Sequence, residues 1–241
     1  MSLGIGNTVF GIAGTGGIVS NTNIYTAGST LVLLIGDDDS QPVQTPTGAT
    51  WVRDANTPAT GIDGGGNAWR LIPFYANNIT GGTRTISYTS IGSSGPTLSI
   101  VEFLNADLLA PIANSTYSQN NALANPDLAV TSTAPNQYAI SCIIDQRTAD
   151  IVTTVGSGGP TWSMISGSPS NGGINGLVYA VAVAPVPTNG TATGPHWGGV
   201  AAGRTNSLWT AIIKAASAIK KTSAMYANGT FYSSNFVEGG I

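Results

Sequence analysis

Residues Thr30–Ile35 read TLVLLI and are followed by GATW at Gly48–Trp51. The same pair of features recurs later in the chain, where Tyr138–Ile144 read YAISCII and Gly159–Trp162 read GPTW. Short runs rich in β-branched residues, separated by Gly, Pro, Asn and Asp, predict β-strands. Because the order of the two features is repeated at an offset of about 110 residues, we expect two similar halves.

Strand patterns continue through both halves, and helical periodicity is nearly absent. Each tryptophan is followed by a Gly-rich loop and a second apolar run, AWRLIPFYA in the first half and GLVYAVAVA in the second. LSIVEF then ends the first half, and LWTAIIK ends the second. Five strands repeated twice predict an all-β fold, a jelly-roll-like antiparallel β-sandwich built from two similar halves, with a C-terminal β-hairpin extension.

The strand pattern also predicts the organisation of the chain. The first residues are Gly-rich and weakly patterned, so we expect an arm that only a neighbouring molecule orders. Each half alone would leave apolar strand faces uncovered, so the two halves are expected to share one core. The predicted parts are an N-terminal arm (1–23), the β-sandwich (24–216, with halves 24–104 and 128–216 joined by a linker at 105–127) and a hairpin tail (217–241).

The strongest hairpin pattern lies at Met225–Ile241, MYANGTFYSSNFVEGGI. Its Asn-Gly pair suits the two positive φ angles of a type I′ turn. An isolated two-stranded hairpin is marginal in water, and the matched strands are complete by Ala216, so we expect the hairpin to dock on a neighbouring subunit or particle. The predicted assembly interface comprises Tyr226, Asn228, Gly229, Phe231, Tyr232, Phe236 and Val237.

The composition favours self-association. Only 8% of residues are charged, against roughly 25% in an average soluble domain. A surface of hydroxyl and amide groups is weakly protected against contact with its copies. We therefore expect a closed, symmetric homo-oligomer, with a trimer favoured.

The same composition argues against several other partners. The eight basic residues form no cluster of the kind that nucleic-acid binding requires. The first residues lack the cationic region of a secretory signal peptide, and no apolar run is long enough to span a membrane. The sequence thus predicts synthesis in the cytoplasm, without nucleic-acid binding or membrane insertion. The single cysteine, Cys142, is expected to be a small buried hydrophobe.

Residue types that carry catalysis are scarce. His196 is the only histidine, and Glu102 and Glu238 are the only glutamates. A nucleophile normally needs a neighbouring base, and glycoside hydrolysis needs two facing carboxylates. No spacing in the sequence supports either arrangement, so we expect a protein that is not an enzyme.

Three adjacent carboxylates, Asp37, Asp38 and Asp39, follow the first apolar strand. Their hard oxygen atoms suit calcium, which makes them the candidate metal ligands. The alternative is a solvated turn that ends the strand, since adjacent residues rarely all point at one ion. No cofactor is expected apart from calcium at these residues.

Glycan binding is a further hypothesis because sandwiches of this kind bind sugars through aromatic rings. Trp51 and Trp162 occupy equivalent places in the two halves, which indicates equivalent roles in the core. Trp69 and Trp197 have no such counterpart. They are therefore the candidate glycan-binding residues at the surface.

The C-terminal segment resembles the closing segments of structural proteins of tailed bacteriophages. The residues that carry this resemblance are Tyr226, Asn228, Gly229, Thr230, Phe231, Phe236, Val237 and Glu238. Residues 27–216 are similar in style to jelly-roll surface modules of phages and bacteria, in which a TLVLLI-like strand precedes a tryptophan strand and a W…AIIK strand closes the sandwich.

The resemblance implies a virion component, made in the host cytoplasm, whose partners are copies of itself and the major capsid or tail proteins. An accessory protein that decorates the capsid fits better than a tail protein, since fibre-like repeats are absent from the sequence. The alternative is a lectin-like or receptor-binding module of a phage tail that recognises a host surface glycan.

Overall fold

The computed structural model describes residues 2–13, 17–38, 42–56, 69–91, 96–119, 126–145, 154–156, 160–165, 170–171, 178–199, 206–217, 221–227 and 230–236. These residues form nineteen strands and no helix. The strands are β1 (Gly4–Ala13), β2 (Ile18–Tyr25), β3 (Thr30–Asp38), β4 (Val52–Arg53), β5 (Trp69–Ala76), β6 (Gly82–Thr89), β7 (Thr97–Leu104), β8 (Ile112–Gln119), β9 (Val130–Thr131), β10 (Gln137–Asp145), β11 (Thr154–Gly156), β12 (Ser163–Met164), β13 (Ser170–Asn171), β14 (Val178–Val186), β15 (Ala192–Thr193), β16 (His196–Gly198), β17 (Asn206–Ile213), β18 (Lys221–Ala227) and β19 (Thr230–Phe236).

Two antiparallel sheets form the body of the molecule. The first has the strand order β1-β7-β3-β5-β4, and the second has the order β8-β17-β10-β14-β12, with β13 also paired to β14. Two-stranded ribbons, β2-β6 and β9-β15, accompany the two sheets. The prediction of an all-β antiparallel sandwich is confirmed.

The second half repeats the strand pairing of the first. The ladders β1·β7, β7·β3, β3·β5, β5·β4 and β2·β6 correspond in order to β8·β17, β17·β10, β10·β14, β14·β12 and β9·β15. The connections also correspond: the N–H of Gly28 donates to the Ile79 carbonyl, and that of Asn136 donates to the Pro187 carbonyl. Both donor residues have positive φ, 77° and 57°. The two halves are therefore similar, as predicted, in their strand pairing and in the geometry of this connection.

The first strand of each half lies where no body strand was predicted. β1 falls within the predicted arm, residues 1–23, yet it pairs with β7 in the first sheet. β8 falls within the predicted linker, residues 105–127, yet it pairs with β17 in the second sheet. Both are outer strands of mixed polarity, so the sequence shows no strong strand pattern. Two segments expected outside the sandwich therefore supply equivalent edges of it.

Each main sheet is buried on both faces. Val32 and Leu34 of β3 belong to an inner core shared with Ile140, Cys142 and other residues of the second sheet. Leu31, Leu33 and Ile35 alternate with them and pack under the β2-β6 ribbon. Successive side chains of a strand point to opposite faces, and both faces are buried here, which explains why every residue from Leu31 to Ile35 is apolar. The layers are thus ribbon, sheet, sheet and ribbon.

The two halves meet through the faces of their sheets. Gly36 of β3 lies so close to Ile144 of β10 that a Cβ atom on Gly36 would be 2.9 Å from the Ile144 Cδ1 atom. Among the described strands, each main sheet draws its strands from one half, with β8 assigned to the second. In a jelly roll, strands of one half pair with strands of the other and so close the edges of the sheets. No ladder among the described strands joins the two halves in this way.

The C-terminal strands form the predicted hairpin. β18 and β19 pair antiparallel from Lys221↔Phe236 to Ala227↔Thr230, which leaves two residues for the turn. Asn228 and Gly229 at that turn lie outside the described residues. Within the described strands, this hairpin is a sheet of its own.

Candidate functional site

Asp37, the first of the three candidate metal ligands, is a buried member of a hydrogen-bonded cluster. Its carboxylate accepts a hydrogen bond of 2.5 Å from the Tyr88 hydroxyl, and the Arg70 guanidinium lies 3.8 Å away. Asp37 and Arg70 are side by side because they pair across β3 and β5. Burial, then the hydrogen bond to Asp37, raises the pKa of Tyr88 well above its usual value. Asp37 therefore joins the sheet to the ribbon above it.

The described residues around Asp37 do not form a metal site with the other two candidate ligands. Asp38 ends β3, where its backbone pairs with Trp69, and Asp39 lies outside the described residues. The described residues contain no group of three or more His, Cys, Asp or Glu that could hold a metal ion.

The burial of the tryptophans agrees with the prediction for Trp51 and Trp162 and differs from it for Trp197. Trp51 and Trp162 are buried in the outer cores of the two halves, as predicted. Trp197 is also buried, with 0% of its surface exposed, against strands of the second sheet. Its ring cannot stack on a sugar at the surface, which corrects the prediction for this residue. Trp69 begins β5, and its side chain lies outside the described part of the structure.

Glu102 is a buried residue whose carboxylate is bound by neighbouring parts of the first half. Its side chain is fully buried on β7 and accepts hydrogen bonds from the N–H groups of Asn7 and Thr26 and from the Ser29 hydroxyl, at 2.6–2.9 Å. Burial, together with the charge of Glu102, raises the pKa of Tyr25 to about 12. The carboxylate thus holds β1 and the β2–β3 connection to the sheet.

His196 differs from the buried carboxylates because it lies at the surface. It is on the short strand β16, beside buried Trp197, and its side chain is exposed. Its backbone also bridges to Asp127.

A third buried carboxylate, Asp54, was not singled out from the sequence. It follows β4 and is 5% exposed. Its carboxylate accepts hydrogen bonds from the Trp209 indole N–H (2.8 Å), the Ser115 hydroxyl (3.0 Å) and the Asn56 backbone N–H (2.9 Å). Trp209 and Ser115 belong to the second sheet, so Asp54 connects the two halves.

A cavity of about 270 Å³ opens beside Asp54. The Asn56 side-chain amide donates to both the carbonyl and the hydroxyl oxygen of Ser115. Burial, then the charge of Asp54, raises the pKa of Tyr75 on the cavity wall. The residues that line it are Asp54, Ala55, Asn56, Tyr75, Ile112, Ala113, Asn114 and Ser115.

Four of the predicted assembly residues, Tyr226, Phe231, Tyr232 and Phe236, lie on the two strands of the hairpin. Tyr226 pairs with Phe231, and Met225 pairs with Tyr232, across β18 and β19. Phe236 pairs with Lys221 at the open end. Side-chain positions in the hairpin are outside the described part of the structure, as are Asn228, Gly229 and Val237.

Several large apolar side chains of the body are exposed. Ile18 and Ile24 stand on the outer face of β2 with 54% and 64% of their surfaces exposed, and Leu109 in the connection between the halves is 92% exposed. Thr22 and Thr85 lie between the two isoleucines and bond to each other through their hydroxyl groups. This outer face of the ribbon is apolar and hydroxyl-bearing.

No family model, curated protein or solved structure matches this chain. In the part of the chain that the structure describes, no helix is long and apolar enough to cross a membrane.

Proposed function

We propose that this chain is a non-enzymatic structural protein that assembles with copies of itself, as an accessory protein on the surface of a phage particle. The C-terminal hairpin carries the proposal. β18 and β19 pair only with each other among the described strands. Because a two-stranded hairpin is marginal alone in water, it needs a further surface to pack against.

The buried carboxylates support a structural role. Asp37, Asp54 and Glu102 each accept hydrogen bonds that join one element of the fold to another. A carboxylate engaged in this way stabilises the fold because a buried donor left without an acceptor costs about 1–3 kcal/mol. These three carboxylates therefore have a role in stabilising the sandwich that involves no catalytic reaction.

The low charge and the exposed apolar residues favour assembly as well. The outer face of β2 combines Ile18 and Ile24 with hydroxyl groups and carries no charged side chain between them. Covering such a face with a neighbouring molecule is favourable because apolar surface is removed from water. The resemblance of the hairpin to phage structural proteins favours a place on the virion, on the capsid rather than the tail, with the major capsid or tail proteins as partners.

Light scattering coupled to size-exclusion chromatography tests this function. We expect the full chain to be a stable homo-oligomer, with a trimer favoured, and a chain that ends at Ser217 to be a folded monomer. Phe231→Ser combined with Tyr232→Ser should also dissociate the oligomer. The matched control replaces the cross-strand pair Ser223 and Ser234 by threonine and should leave assembly unchanged.

Two results would contradict the proposal. A full chain that remains monomeric at high concentration and binds no phage capsid or tail would remove the assembly function. A chain ending at Ser217 that fails to fold would assign the hairpin to the core of its own subunit.

A further inference from the structure

A second cavity, of about 290 Å³, opens at one end of the inner core between the two main sheets. Its wall includes Leu3, just before β1, and three residues at the ends of strands in the second sheet: Tyr138 in β10, Pro185 in β14 and Ala215 just after β17. Tyr138 and Ala215 pack against the inner core. Pro185 is two residues from Val183 of that core, so its side chain is on the same face of the sheet.

This end cavity is mainly apolar and is open to solvent. Leu3 on its wall is buried, whereas Pro185 and Pro187 are exposed at its opening. The half-buried ring of Tyr138 lies edge-on to the ring of Phe103 in the inner core, with the ring centroids 6.3 Å apart. An apolar cavity of about 150 Å³ is enough to hold benzene. The end cavity therefore has room for an aromatic side chain that would continue the inner core.

The equivalent end of the first half is polar. Thr30 pairs with Phe103 as Tyr138 pairs with Ile213, and the same correspondence of the strands relates Asn77 to Pro185 and Asn105 to Ala215. The Asn77 side-chain amide donates to the Leu108 carbonyl, and that of Asn105 donates to the Ser2 carbonyl at 2.9 Å. The fold thus does not require apolar residues at these positions, and only the second half has them.

The C-terminal hairpin leaves the body beside this cavity. Ala215 lines the cavity, and the first strand of the hairpin begins at Lys221. Tyr226 and Phe231 are directly opposite each other in the hairpin, one pair from its turn. The strand from Lys221 to Tyr226 is about 17 Å long. A hairpin that extends outward from the body therefore carries its aromatic pair away from its own cavity and towards that of an adjacent copy.

We propose that the end cavity receives the tip of the C-terminal hairpin of a second copy of this chain, with Tyr226 and Phe231 as its anchor. This inference rests on the proposed self-assembly and names the surface that the hairpin covers. Pro185 and Tyr138 provide apolar contacts for an aromatic ring. Each copy has one hairpin and one cavity, so the contact is heterologous, and a closed ring of copies satisfies every hairpin. A ring of three agrees with the favoured trimer.

Filling the cavity from within its own chain tests the proposal. Ala215→Phe should weaken assembly of the full chain by about thirtyfold or more, as the loss of a central anchor does, measured by sedimentation equilibrium. In the chain that ends at Ser217, the same change should leave the midpoint of thermal unfolding unchanged or raise it, because it fills a cavity. The matched control is Ala216→Phe, which adds the same ring at an exposed neighbour outside the cavity and should leave assembly unchanged.

A second variant places a charge at the opening of the cavity, where the fold tolerates it. Pro185→Asp should also weaken assembly by about tenfold or more, because a carboxylate disfavours contact with an aromatic anchor. Its control is Pro135→Asp, at an exposed proline that does not line the cavity. This control should assemble as the wild type does.

Mixing two chains shows whether the hairpin comes from another copy. The full-length Ala215→Phe variant keeps its hairpin and lacks an open cavity, whereas the chain that ends at Ser217 keeps its cavity and lacks a hairpin. Each should be monomeric alone, and at about 100 µM the two should form a 1:1 complex in size-exclusion chromatography with light scattering. Adding Tyr226→Ser and Phe231→Ser to the first chain should abolish this complex.

The outcomes separate this inference from the assembly function. Oligomers of the Ala215→Phe and Pro185→Asp variants that are as stable as the wild type would overturn the inference and leave self-assembly standing. Mixed chains that do not associate would assign the cavity to the hairpin of its own subunit, which also overturns it. A wild-type chain that is itself monomeric would contradict the assembly function and this inference together.

Discussion

Two buried tyrosines of the first half differ in the state of their hydroxyl groups. Tyr88 donates to Asp37 at 2.5 Å, whereas the Tyr25 hydroxyl has no partner within the described structure. We expect Tyr88→Phe to lower the free energy of unfolding by about 1.5–3 kcal/mol, since a buried carboxylate loses a donor. Tyr25→Phe should be neutral or stabilising. Urea unfolding of both variants at neutral pH measures the contrast, and equal losses would contradict it.

The same tyrosines predict how stability depends on alkaline pH. Burial raises the pKa of Tyr25 to about 12, and the pKa of Tyr88 is also raised. In the unfolded chain both ionise near pH 10. Above about pH 10 the unfolded state has lost protons that the folded state keeps, so the free energy of unfolding falls as pH rises. Unfolding measured between about pH 9 and about pH 11 should show this fall, and Tyr25→Phe should make it shallower.

The hydrogen bond from Trp209 to Asp54 is one of the contacts between the halves, 2.8 Å long and buried. Asp54→Ala should lower the free energy of unfolding by about 2–4 kcal/mol because it leaves the indole N–H without an acceptor. A double-mutant cycle with Trp209→Phe should give a coupling energy of about 1.5–3 kcal/mol. Additive effects would show that the bond contributes nothing to joining the halves.

The internal repeat in the sequence predicts the burial of Trp51 and Trp162 but not that of Trp197. Trp51 and Trp162 were assigned to the core because the repeat places them at equivalent positions. Trp197 has no tryptophan counterpart, and that absence gave no information about its burial. Asp54 could have been found by the same comparison, because a carboxylate stands where the other half has Ile165.

Among the elements, β1 and β8 show how weak the sequence pattern of an edge strand is. Each contacts a main sheet along one side only, so hydroxyl, amide and glycine residues are accommodated there. The central strands β3 and β10 are buried on both faces and gave the clearest patterns. Edge strands could not be recognised without knowing which residues β7 and β17 present to them.

A truncation tests whether β1 belongs to the body of the protein. Deleting residues 1–16 removes buried Leu3 and the Asn7 N–H that donates to Glu102. We expect a loss of roughly 3 kcal/mol or more in the free energy of unfolding, since burying one leucine contributes about 1.5–3 kcal/mol. Removing residues 218–241 is the control and should cost the isolated subunit much less. A stable chain without residues 1–16 would return this segment to the role of an arm.

At the scale of the whole molecule, the sequence predicts the repeat but not the arrangement of the halves. TLVLLI and YAISCII are apolar on both faces, so their pattern cannot tell which face lies under a ribbon and which meets the other half. The structure resolves this because Val32, Leu34, Ile140 and Cys142 share one inner core. A sandwich of two similar halves with a shared core was therefore predictable, and the residues of each strand that face this core were not.

The shared inner core predicts that the halves fold as a unit. Leu109, in the connection between them, is 92% exposed, so a protease site inserted between Leu108 and Leu109 should be cut in the folded protein. The fragments should then remain together through the inner core, helped by the 2.8 Å ion pair between Asp107 and Lys214.

After this cleavage, unfolding becomes dissociation, so the midpoint of thermal unfolding should rise with protein concentration. The two fragments should elute together in size-exclusion chromatography. When expressed alone, each should aggregate or stay unfolded because its inner sheet face is uncovered. Two fragments that separate into folded monomers would mean that the ribbon-covered core suffices for each half. In that case, the contact between the sheets would be an interface between independent domains.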